Sequence, residues 1–92
     1  MTGIDVKAVR EALDLDAYVF GKVLGVHMST VFRWESHTKS WSGNPLHQTI
    51  LEALKRWCKT AGADERGLLG ARLRGYAHNT LGGLRTLLNA LK

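Results

Sequence analysis

One cysteine, one proline and no long apolar run are what this 92-residue chain has least of. The lone Cys58 excludes an intrachain disulfide and any cysteine-rich zinc site, which fits a reducing cytoplasm. It falls on the apolar face of an expected helix, so a buried thiol is its expected role. No segment approaches the roughly 20 apolar residues that a membrane-spanning helix needs. The N-terminus also lacks the charged and apolar regions of a signal peptide, and a cytoplasmic protein without membrane association is expected. His27, His37, His47 and His78 are scattered without metal-ligand spacing, so no metal and no cofactor are expected. No Gly-x-Ser-x-Gly elbow, paired carboxylate site or phosphate-binding glycine loop is present, which argues against an enzyme. Acidic residues are scarce as well: 8 Asp and Glu stand against 13 Lys and Arg, a net charge of +5. Such an excess suits a polyanionic partner through counterion release, or serves only solubility; charge alone leaves both open. The excess is uneven, with a net −2 over residues 1–21 and +4 over residues 22–59.

Apolar periodicity organises the rest. Val6, Val9 and Leu13 lie at helical spacing, giving a first amphipathic helix over residues 5–13 with Thr2 or Asp5 as its cap. Asp16 offers an N-cap carboxylate for a second helix, whose stripe of Val19, Phe20, Val23 and Leu24 ends at Gly25, a residue suited to a left-handed C-cap. Val26 and His27 leave room for only a tight turn before Met28, Val31 and Trp34 resume the helical period. Two short helices joined this closely must cross steeply. Residues 36–43 read as a polar loop, with Trp41 expected to fold back on the core. Asn44 and Pro45 then open a fourth helix carrying Leu46, Ile50, Ala53, Leu54, Trp57 and Cys58 on one face, closed by Ala61 and Gly62. Beyond Asp64, a candidate cap, Leu73, Ala77, Leu81, Leu84, Leu88 and Leu91 recur in steps of four and three, the spacing of a coiled-coil-like seam. Gly75, Gly82 and Gly83 interrupt it, and two helices broken near Asn79 and Thr80 compete with one long helix.

The stretch from Leu13 to Glu35 resembles the helix-turn-helix of the Cro/cI-type regulators, the xenobiotic-response-element family. Asp16, Phe20, Gly21, Leu24, Gly25, Val26, Thr30, Val31, Trp34 and Glu35 fill that family's pattern of capped helix, Leu-Gly-Val turn and helix closing in Trp-Glu. Gly43, Asn44, Pro45 and Leu46 look like the start of its next helix, notably in antitoxin-like members. The resemblance covers residues 5–59. Gly21 lets the motif helices approach, and Phe20, Leu24, Val31 and Trp34 fill the wedge between them. That leaves Met28, Ser29, Phe32 and Arg33 facing outward on the third helix.

The resemblance implies double-stranded DNA as the partner, with Met28, Ser29 and Arg33 at base-touching positions in the major groove. Arg33 has the most definite chemistry, since a guanidinium donates two parallel hydrogen bonds to guanine O6 and N7; the competing role is a phosphate contact or an ion pair with Glu35 or another carboxylate. Met28 and Phe32 suit thymine methyls, and Phe32 equally suits packing within the protein. His27 replaces the usual Ser or Thr at the helix start. His27, Lys39, Ser40, Ser42 and Asn44 are expected on the phosphate backbone, the loop and the fourth helix's N-terminus lying along one strand. Ala17 and Val19 depart from the pattern, standing where relatives carry polar residues that include a phosphate-contacting glutamine. The expected fold is all-α: a compact domain of five to six helices, with residues 1–62 as the DNA-binding core. Residues 63–92 are expected to form a C-terminal helical segment for dimerisation, in which Leu84, Leu87, Leu88 and Leu91 meet a second copy; the alternative is that these leucines close over the chain's own first and fourth helices. The expected function is a transcriptional repressor or autoregulator binding a palindromic operator as a homodimer. An antitoxin-like protein or adaptor, using the same scaffold to bind a protein partner, is the alternative.

Overall fold

The computed structural model describes residues 2–36, 44–76 and 78–91. Trp41, the phosphate-contact candidates Lys39, Ser40 and Ser42, and Ala77 of the seam lie outside them. Among the described residues the chain forms six helices and no strand: α1 Gly3–Ala12, α2 Ala17–Leu24, α3 Met28–Glu35, α4 Pro45–Thr60, α5 Ala63–Arg74 and α6 Thr80–Ala90. The fold is all-α, as expected.

Local chemistry sets most boundaries. Thr2, not Asp5, caps α1: Thr2 Oγ1 accepts from Asp5 N at 3.4 Å while Asp5 Oδ2 accepts from Thr2 N at 3.0 Å, a reciprocal capping box. Asp14 turns the chain with φ of 54°, a conformation that Asp tolerates better than most residues. Asp16 Oδ1 then accepts from Val19 N at 2.8 Å and opens α2, which Gly25 closes with φ of 76°. Asn44 caps α4 with Pro45 in its first turn. Asp64 does not cap α5. Gly62 holds that position without a side-chain bond, and Asp64 and Glu65 occupy the first turn, where their charge suits the helix dipole. Asn79 caps α6, its Oδ1 accepting from Gly82 N at 2.9 Å, so the C-terminal region is two helices.

One apolar cluster joins all six helices, running through Val6, Leu13, Phe20, Val23, Val31, Leu51, Leu54, Leu69, Leu73 and Leu87. Residues on both sides of position 62 therefore share a single core. The α5 backbone comes against the Leu13 carbonyl at Gly70, where a side chain would collide, and α6 meets Val23 of α2 at Gly83, where an added Cβ would be tight at 3.2 Å. Arg74 Nη1 donates to Asp14 O at 2.8 Å, and Arg66 Nη1 donates to Cys58 O at 3.2 Å and to Ala61 O, satisfying carbonyls at the end of α4. Cys58 is half-buried, and burial pushes its thiol pKa up against the opposing effect of Arg66.

Two apolar faces differ from expectation. Leu46 is 62% exposed, because in the first turn of α4 the inward place belongs to His47, whose Nε2 donates to Leu24 O at 3.1 Å. Leu51, which the stripe omitted, is fully buried. On α6 the break before Thr80 resets the helical phase. Leu87, expected at a dimer contact, is buried in the chain's own core at 1% exposure, and Leu84 and Leu91 are partly buried against that core. Leu88 remains exposed, as does Leu81 at the other end of the same outer face.

Candidate nucleic-acid interface

The turn between α2 and α3 permits a close approach because Gly21 lacks a side chain. A Cβ there would lie 2.6 Å from Val26 O, the residue whose N–H returns to Gly21 O at 2.8 Å. Val31 and Trp34 bury the inner face of α3. The opposite face presents Met28, Ser29, Phe32 and Arg33, all exposed, with Phe32 at 55%. Four outward residues on two adjacent turns make a continuous strip.

His27 begins that strip as the N-cap of α3. Its Nδ1 accepts from Ser29 N at 3.1 Å and lies 2.9 Å from Ser29 Oγ. Since a backbone N–H only donates, Nδ1 carries no proton; the Ser29 hydroxyl donates to it and the imidazole proton sits on Nε2. The outward consequence is specific: Ser29 Oγ is left as an acceptor, and His27 Nε2–H as a donor.

The far end of α3 is tied down. Arg10 Nε donates to Glu35 Oε2 at 2.7 Å, Nη2 donates to Oε1 at 3.0 Å, and Nη1 reaches Leu15 O at 3.0 Å. Both side chains are largely buried, at 14% and 8% exposure, and the Glu35 hydrogen bond raises the Arg10 pKa against the cost of burial. Glu35 is thus the partner of Arg10 and not of Arg33. Among the described residues Arg33's guanidinium has no hydrogen-bond or ion-pair partner. Sequence reasoning missed Arg10, because nothing local marks a pair separated by 25 positions. His47 adds a second tie, its ring centroid 5.4 Å from that of Trp34 while Nε2 holds Leu24 O.

Asn44 lies exposed at the start of α4, its Oδ1 accepting from Leu46 N at 2.8 Å, so its Nδ2 is the side chain's remaining donor group. Ala17 and Val19 are buried, at 4% and 8% exposure, so their apolar character serves the core. The outer positions of α2 belong instead to Tyr18 and Lys22, one turn apart, with Lys22 Nζ 5.5 Å from the Tyr18 ring centroid. They line a groove of about 370 Å³ shared with His27, Met28 and Thr80. Their i, i+4 spacing was the available signal, obscured by the apolar stripe beside it. Among the described residues no three His, Cys, Asp or Glu side chains are placed to hold a metal ion, and no helix is long and apolar enough to cross a membrane. No family model, curated protein or solved structure matches the chain.

Proposed function

We propose that this protein is a sequence-specific DNA-binding regulator of the Cro/cI type, a cytoplasmic repressor or autoregulator that binds a palindromic operator as a homodimer. The observation that carries the reading is the exposed strip of α3, where Met28, Ser29, Phe32 and Arg33 project from a helix held at both ends by the His27 cap and the Arg10–Glu35 pair. In the major groove Arg33, whose guanidinium has no partner among the described residues, supplies the bidentate donor that guanine O6 and N7 accept. Ser29 Oγ accepts from an adenine or cytosine amino group, and Met28 and Phe32 meet thymine methyls. His27 Nε2–H and Asn44 Nδ2 donate to phosphates, and Lys39, Ser40 and Ser42, which lie between α3 and α4 in the sequence, are further candidates for that contact. Binding, with no catalytic step, accounts for these roles.

Selection of duplexes from a random pool tests the proposal. The expected product is a palindrome with half-sites about one helical turn, roughly 34 Å, apart. Arg33→Ala should cost ~1 to 3 kcal/mol and relax preference at one base position per half-site. A pool without an enriched sequence would overturn the reading. The exposure of Phe32 favours the second one, an antitoxin-like or adaptor protein whose partner packs on this strip. Its mark is protein-partner binding that survives Arg33→Ala, with no duplex enriched.

A further inference from the structure

We infer that Tyr18 and Lys22 form a phosphate clamp on α2, gripping the DNA strand beside the end of α3 that faces the bases. The inference rests on the DNA-binding reading and assigns it residues that neither the motif nor the charge pattern singled out. Three observations converge. The first-turn positions Ala17 and Val19 are committed to the core, so α2 can reach a strand only through its outer residues. Those are Tyr18, 41% exposed, and Lys22, on one face of α2. That face continues without interruption into the strip: Tyr18 and Lys22 share their groove with His27 and Met28, the N-cap and first residue of α3.

The groove also has the right chemistry for one phosphate and the wrong chemistry for a base. Its polar side chains offer a lysine ammonium, a phenol, an imidazole N–H and the Thr80 hydroxyl, all able to donate, and among the described residues no carboxylate lines it. Lys22 lies against the Tyr18 ring, and this cation–π contact limits the freedom of a long flexible side chain and holds it beside the strip. Thr80 closes the far wall at the start of α6, where its methyl lies within van der Waals reach of the Gly25 Cβ position. The C-terminal helix therefore shapes a DNA-facing groove as well as the core. A contact of this kind positions the protein and carries no sequence information, so the clamp acts on all duplexes alike.

The test is fluorescence anisotropy with a labelled mixed-sequence duplex and with the duplex selected from the random pool, each over a series of salt concentrations. Lys22→Ala should weaken both by roughly tenfold, the loss expected for one charged hydrogen bond, and reduce the slope of log affinity against log salt by about 0.9. Lys22→Gln, which keeps the stem of the side chain, should do the same, and Lys22→Arg should restore the slope. Tyr18→Phe should give a smaller, equally sequence-independent loss. A wild-type salt slope in both Lys22→Ala and Lys22→Gln would overturn the clamp, as would a loss confined to the selected duplex. If the wild-type protein binds neither duplex, the DNA reading falls and the clamp with it; if Arg33→Ala loses base preference while the Lys22 variants keep the wild-type slope, only the clamp falls.

Discussion

At the scale of single residues, the Arg10–Glu35 pair is the interaction whose removal should be felt most. Both groups are largely withdrawn from water, so taking away one charge leaves the other buried without its counterpart, and such losses exceed the net worth of the pair itself. Glu35→Gln should lower stability by about 3 kcal/mol, measured by urea unfolding. An unchanged midpoint would mean that water reaches the guanidinium freely. Arg33, only two residues away, should behave in the opposite manner: its side chain holds nothing in the described fold, so Arg33→Ala should leave the unfolding midpoint in place while DNA affinity drops. The contrast separates a residue that orients α3 from one proposed to read with it. Gly21 belongs to the first kind, since any side chain there meets the Val26 carbonyl.

At the scale of elements, caps decide where helices begin, and the α1 cap gives a pH dependence. The Thr2 backbone N–H holds the Asp5 carboxyl below its ordinary pKa; burial opposes this, and Lys55, 3.3 Å away, reinforces it. A native pKa below the unfolded one means that the unfolded chain binds the proton more readily. The contribution to stability is therefore present above the ordinary aspartate range and is lost as pH falls through the native pKa. Asp5→Asn should destabilise the protein at neutral pH and flatten this acid limb of the stability profile, as read by thermal unfolding at pH 3 to 7. A variant with an undiminished acid limb would assign the limb to other carboxylates. The α3 cap works on the same principle with a different group. The ring nitrogen of His27 does what a Ser or Thr oxygen does at most N-caps, and in doing so it orients Ser29.

At the scale of the whole molecule, α5 and α6 complete the core and leave one apolar face over. Leu87 points inward, whereas Leu81 at 68% exposure and Leu88 at 42% flank an outer groove of about 310 Å³ that also involves Leu84. A second copy seated there by α6 against α6 would cover these leucines. Leu88→Lys should leave the helical circular dichroism intact, abolish a sedimenting dimer and weaken operator binding. If Leu88→Lys sediments as the wild-type protein does, the α6 face is not the dimer contact. Truncation after Gly62 is a poorer test, because it removes Leu69, Leu73 and Leu87 from a shared core and should unfold the remainder.

The sequence by itself determined α1 to α4 and the caps that open α2 and α4, while it placed the α5 cap at Asp64 instead of Gly62 and left one C-terminal helix or two open. Asp16, Gly25, Asn44 and Pro45 act through neighbours within one turn, so their roles are legible without the fold, and the inward Val31 and Trp34 follow from the period of the helix. Only the tertiary structure decided which helix faces meet. Leu46 and Leu51 are both leucines on one helix, yet the first is exposed and the second buried, because His47 takes the inward place in the first turn and α1 covers the middle. Leu87 and Leu88, adjacent on α6, are divided by which face of that helix packs on the core. The Arg10–Glu35 tie and the meeting of Tyr18 and Lys22 with Thr80 join residues far apart in the chain. Periodicity records which face of a helix is apolar, while long-range partners depend on how the helices cross, and a crossing is set by packing volumes summed over the whole core.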